Sequence, residues 1–232
     1  MNPVQSTTAS PAALLVLSDG RFPAGGHAHS GGAEAAVTAG RVHDTATLER
    51  FCRGRLHTAG LVAAALAAAA AGGCDPLALD DAADARTPSP ALRRTARRLG
   101  RQLMRAARRL WPDPRLEELA EARPGGAHHP VVLGLAARAA GLSPAQAAQA
   151  AAYDTVSGPV TAAVRLLGLD PVHATGVLTH LACDIEEITG RAAEHAARVT
   201  DHGTDALPAV GAPLLDITAE QHAAWPVRLF AG

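Results

Sequence analysis

Two histidines one residue apart, His27 and His29, lie between two glycine pairs in the stretch GRFPAGGHAHSGGAE, residues 20–34. Three chemistries could use such a stretch. A phosphate loop would follow a strand and carry a lysine to reach the phosphate, but no strand pattern precedes it and the chain contains no lysine. A metal site would exploit the alternation of His27 and His29 on an extended segment, with His128-His129 as a second pair. Neither pair has Cys, Asp or Glu beside it at ligand spacing, so no metal site and no cofactor are expected. The third use is a turn that another protein reads. Pro23 suits the second position of a type I turn and Gly25 the fourth, Gly26 admits backbone angles closed to other residues, and Ser30 can help begin a helix. Gly31-Gly32 would cost about 1 kcal/mol per residue inside that helix. Their presence implies that something approaches the backbone closely, either a neighbouring helix or a partner.

A second candidate is the run ALRRTARRLGRQLMRAARRL, residues 91–110. Leu92, Ala96, Leu99, Leu103, Ala106 and Leu110 step by four and three and make one apolar stripe. Arg93, Arg94, Arg97, Arg98, Arg101, Arg105, Arg108 and Arg109 cover most of the remainder, and the acid nearest in sequence is Asp113 downstream. Unmixed charge on one helix repels itself, so solvent, an acidic protein surface or nucleic acid lies against it. The third candidate is the tail WPVRLFAG, residues 225–232, where Pro226 ends any helix and Arg228 stands beside two apolar anchors, Leu229 and Phe230. Arg165, among Ala162, Ala163 and Leu166, is a fourth: a partner contact or a partly buried donor to loop carbonyls.

The elements that position these residues are helices. Asp75-Pro76, Thr87-Pro88, Ser89-Pro90, Ser143-Pro144 and Asp170-Pro171 each put a capping oxygen before a proline suited to the first helical position, and Gln146 can complete a capping box with Ser143. Between these starts the chain is rich in alanine and leucine, with no alternating β-branched run. The reading is all-α: a single-domain compact bundle of about nine or ten helices, near 11–18, 28–39, 44–72, 76–84, 90–111, 130–140, 144–167, 171–198 and 215–223. The domain spans 1–232, with 1–10 and 224–232 as mobile termini. Hydrophobic residues make up 48% of the chain and aromatics 3%, so small side chains must build the core and helices must pack closely. A net charge of -1 gives no global field for nucleic acid. Cys52, Cys74 and Cys183 form no CxxC pair, and the N-terminus lacks a basic region, so a reduced, soluble, cytoplasmic protein without a signal peptide is expected.

Three stretches in this order resemble the UreF family of urease accessory proteins: LLVLSDGRFPAGGHAHSGGAEAAVTAGRV (14–42), SGPVTAAVRLLGLD (157–170) and PLLDITAEQHAAWPVRLFAG (213–232). The chain departs from the family where His27 and His29 replace aromatics and where Leu167-Gly168-Leu169-Asp170 replaces Pro-Leu-Gly-Gln. The resemblance implies an all-helical, usually dimeric protein without catalysis of its own. It would join the UreD/UreH protein and the GTPase UreG in a complex that matures the urease apoprotein, coupling GTP hydrolysis to nickel delivery and lysine carbamylation. The tail, through its Arg-Leu-Phe end, would bind UreD/UreH. The partner-contact set is then Gly25, Gly26, His27, His29, Arg165, Arg228, Leu229 and Phe230. The residues themselves keep two rivals open: a nucleic-acid-binding regulator using the Arg93 to Arg109 helix, and a histidine-dependent metalloenzyme.

Overall fold

The structure is a computed structural model that describes residues 11–231; the expectation for 1–10 lies outside the described residues. The elements are α1 (Pro11–Ser18), a 3-10 turn (Gly26–Ala28), α2 (Ala33–Thr38), α3 (Thr45–Arg55), a π-helical segment (Leu56–Gly60) and α4 (Leu61–Ala71). They continue with α5 (Pro76–Ala85), α6 (Pro90–Leu110), α7 (Pro114–Ala122), α8 (His129–Ala139), α9 (Pro144–Leu167), α10 (Pro171–His180) and α11 (Ala182–Ala197). The last are α12 (Val199–His202), a 3-10 turn (Gly203–Ala206) and α13 (Pro213–Ala223). Among the described residues there is no strand, and the fold is all-α.

The caps form as the residues dictate. The Ser143 hydroxyl accepts from the Gln146 N–H at 3.2 Å while the Gln146 side chain accepts from the Ser143 N–H at 2.9 Å, a complete capping box. Asp75, Ser89 and Asp170 cap α5, α6 and α10. Thr87-Pro88 starts no helix. Asp113-Pro114 carries the same signature and starts α7, which the sequence reading passed over.

The centre of the core is α4, buried at Leu61, Val62 and from Ala64 through Ala71. It packs against α8, α9 and α11. Alanine makes this possible by letting backbones approach: a side chain at Gly134 of α8 would run into the Ala67 carbonyl of α4. The helix running through α3, the π segment and α4, Thr45–Ala71, is long and apolar enough to cross a membrane, but 67% of its most apolar window is buried within the protein. Burial identifies it as a core helix.

Two expectations change. The helix expected over 171–198 breaks at Leu181, whose side chain is fully buried between α10 and α11. On α6 the buried stripe is Gly100, Leu103, Met104 and Ala107, while Leu110 is exposed, because Gly100 lies against the Ala127 carbonyl and rotates the helix toward that contact. The tail beyond 224 lies against the domain through Leu229, Phe230 and Ala231.

Candidate functional site

The loop after α1 is shaped by its glycines. The positive φ falls at Gly25 (+77°), not at Gly26, and again at Gly31 (+57°) and Gly32 (+89°). A side chain at Gly31 would come within 3.0 Å of Pro159 Cγ on α9, so a helix of the same chain accounts for the close approach. Ser30 is buried, and its hydroxyl accepts from the Glu34 N–H at 3.3 Å in the first turn of α2, whose N-cap is Gly32.

Glu34 is the residue that organises this corner. Its side chain is buried and accepts three hydrogen bonds: from the Leu229 N–H at 2.8 Å, the Phe230 N–H at 3.1 Å and His222 Nε2 at 2.8 Å. Burial works to raise its pKa, but the Leu229 N–H, His222 and the Phe230 N–H outweigh burial and hold the carboxyl below its ordinary range. A buried carboxylate needs such donors, and the tail supplies two of them. The Ala231 N–H also donates to the Ala28 carbonyl at 2.7 Å, and Arg98 Nη2 donates to the Ala231 carbonyl at 2.6 Å. The tail is thus tied at both its N–H and C=O groups.

Side chains divide accordingly. Phe230 is 4% exposed and packs with Ala33 and Ala162, with Arg165 above its ring at 5.0 Å from the centroid. Val227 and Leu229 are 80% and 70% exposed. Most of the expected contact residues converge: the loop at Gly26 and His29, Arg165 of α9, and the tail at Arg228, Leu229 and Phe230 meet at one corner, while Gly25 lies against Gln102 of α6. Arg165 is exposed and covers Phe230 rather than bonding loop carbonyls. The side chain of His27 lies outside the described residues. His29 is buried.

The arginine helix is less naked than its sequence. Arg97 reaches from α6 to α5, donating to Asp80 at 3.0 Å and Asp84 at 2.5 Å. Asp80 is fully buried and also accepts from Arg123 at 2.9 Å and the His128 N–H at 2.7 Å. His128 Nε2 donates to Asp84 at 2.7 Å, and burial holds its pKa below the ordinary range, so this histidine joins the Asp80–Asp84–Arg97 cluster as a hydrogen-bonding ring. Arg108 pairs with Glu117 of α7. Among the described residues, no three His, Cys, Asp or Glu side chains are placed to hold a metal ion together.

Sequence reasoning missed Glu34, His222 and Arg55. A signal for Arg55 existed. Pro159 has no N–H, so the Thr155 carbonyl four residues earlier loses its helical donor. Arg55 Nε replaces it at 3.1 Å.

Comparison with known proteins gives one consistent result. The UreF family model matches residues 42–182. A urease accessory protein UreF of Mycolicibacterium vanbaalenii is 44% identical over 226 residues, covering 96% of this chain and 99% of the relative. Its counterpart in Mycobacterium sp. strain JLS is 42% identical, covering 94% and 97%, and that of Mycobacterium tuberculosis is 44% identical, covering 92% and 94%.

Proposed function

Because the chain belongs to the UreF family of urease accessory proteins, with its role in urease maturation, we propose that it acts there as a non-catalytic scaffold and regulator. It joins the UreD/UreH protein to the GTPase UreG in the cytoplasm, as a homodimer within the complex, and the urease apoprotein is the client. Nickel is handled by the assembly, without a resident metal or cofactor in this chain. The nucleic-acid alternative is left without support by the family, and Arg97 and Arg108 are engaged with acids of the same chain.

The observation that carries the reading is the divided tail. Phe230 anchors the segment to its own domain, and Val227 and Leu229 are presented outward beside Arg228 and Arg165. Apolar side chains held in place before a partner arrives lose little entropy on binding, and an adjacent arginine is typical of interface hot spots. This corner is the surface we assign to UreD/UreH.

The test is co-expression with UreD/UreH and UreG homologues. Val227→Ser with Leu229→Ser should leave thermal stability unchanged and abolish co-purification of UreD/UreH. Capture at the wild-type level by this double variant would refute the assignment. Deletion of Arg228 to Gly232 should abolish capture as well, but it also removes donors from Glu34 and lowers the melting temperature.

A further inference from the structure

A cleft of about 620 Å³ lies between the Ser30–Gly32 loop, α6, α13 and the tail, and its charged lining is one-sided. Arg55, Arg94, Arg97, Arg98, Arg101 and Arg228 reach it, and no Asp or Glu does. Only Arg97 among them forms an ion pair within the described residues. Arg98 and Arg101 donate to single carbonyls, those of Ala231 and Gly125. The nearby acids are engaged elsewhere: Glu34 with the tail and His222, Glu220 with the Ser89 hydroxyl at 2.5 Å and the Ala91 N–H at 2.7 Å.

Arg55 is the telling member. It is half-buried, and its one hydrogen bond among the described residues uses Nε on the Thr155 carbonyl. Desolvation pushes the guanidinium below its ordinary range, opposed by Cys52 and Asp154, with no carboxylate of the described residues in an ion pair with it. A partly desolvated cation without a paired carboxylate is costly, and Arg55 lines the open cleft. A carboxylate is satisfied by one bidentate fork, whereas guanidinium groups approaching from several elements match a tetrahedral, multiply charged oxyanion. The volume exceeds what a bare ion fills and lies in the range of small-molecule sites.

We propose that this cleft binds a phosphate anion, free or carried on a small molecule, with Arg55 innermost and Arg94, Arg98 and Arg101 around the opening. The cleft shares Arg228 with the corner assigned to UreD/UreH. Arg55, Arg94 and Arg101 lie outside that corner, and Val227 and Leu229, which test it, lie outside the cleft, so the two readings can fail separately.

The experiment is calorimetric titration of the full chain with inorganic phosphate and, separately, with AMP, at constant ionic strength set by chloride. Saturable binding at one site per chain is expected, weakened about tenfold or more in Arg94→Gln and lost in Arg55→Met. Arg109→Gln, on the same helix but outside the cleft, should bind as wild type. Tighter binding of AMP than of phosphate identifies a carried phosphate, and equal binding identifies the oxyanion itself. Arg55→Met also removes the donor to Thr155; if that variant fails to fold, Arg94→Gln decides alone, because Arg94 is exposed and holds no structural bond among the described residues. Absence of saturable binding for both probes, or an equal loss in Arg109→Gln, overturns the proposal.

Discussion

Replacing Glu34 by Gln tests whether one buried carboxylate holds the tail. The change keeps size and one acceptor oxygen but removes the charge and turns the other oxygen into an NH2. In the native corner one oxygen serves Leu229 and the other serves Phe230 and His222. Either orientation of the amide therefore sets a donor against a donor. Hydrogen bonds to a charged group contribute about 1.5 to 3 kcal/mol each. Losing one and weakening another should cost the docked tail about 2 to 4 kcal/mol. Burial of Phe230, about 1.5 to 3 kcal/mol, remains and keeps the tail partly seated. Hydrogen exchange followed by mass spectrometry reads the result directly. The Leu229, Phe230 and Ala231 amides should lose roughly 30- to 900-fold in protection while those of α4 keep theirs, because local opening of a terminus is uncoupled from the core. Tail protection within a factor of about three of wild type would show that the packing of Phe230, and not Glu34, holds the segment, and the account of this corner would be wrong.

Arg97→Met should destabilise the fold by about 1.5 to 3 kcal/mol in urea unfolding, since buried Asp80 loses one of its donors while Arg123 and the His128 N–H remain; a loss below about 0.5 kcal/mol would mean that Arg123 alone suffices. Gly134→Ala should cost at least about 1 to 3 kcal/mol by the same measurement, because the new methyl group meets the Ala67 carbonyl and the α4–α8 contact must open. Docking of the tail should also depend on pH. The Glu34 carboxyl is depressed in the docked state, so its contribution is complete above the ordinary glutamate pKa of about 4.3 and is lost as the pH falls below that value through the native one. Tail exchange, corrected for the intrinsic rate, should rise over that acidic window in wild type and stay flat there in Glu34→Gln.

What the sequence made legible was what neighbours along the chain decide. Ser143-Pro144 with Gln146, Ser89-Pro90 and Asp75-Pro76 start helices because the capping atoms lie within three residues of the N–H groups they serve. What it hid was set by distant parts. The arginine helix looked unpaired because its counter-ions come from α5 and α7: Asp80 stands 17 residues before Arg97, and only the fold brings them together. The break at Leu181 has no glycine or proline to announce it, and follows from burial of that leucine. The seating of Phe230 was hidden for a similar reason. Its pocket is built by Ala33 and Ala162, two small residues far apart in sequence, whose significance lies in the space they leave.

Pro159 shows how such distant effects arise from one residue type. As an imino acid in the middle of α9 it leaves the Thr155 carbonyl without its helical donor, and its ring projects toward a neighbouring backbone. The first consequence recruits Arg55, the residue at which α3 gives way to the π segment, to donate Nε to Thr155. π-helical turns of this kind often accompany functional positions. The second consequence excludes a side chain at Gly31, whose Cβ would meet the proline ring at 3.0 Å, and so brings the glycine loop against α9. Arg55 is thereby held beside the loop, in the lining of the cleft. The test is Pro159→Ala, which restores an N–H to the helix and competes with Arg55 for the Thr155 carbonyl. If the proline holds Arg55 in place, this variant should be folded and at least as helical as wild type, yet bind inorganic phosphate more weakly. Unchanged phosphate affinity in a folded Pro159→Ala would show that Arg55 is positioned by its packing alone.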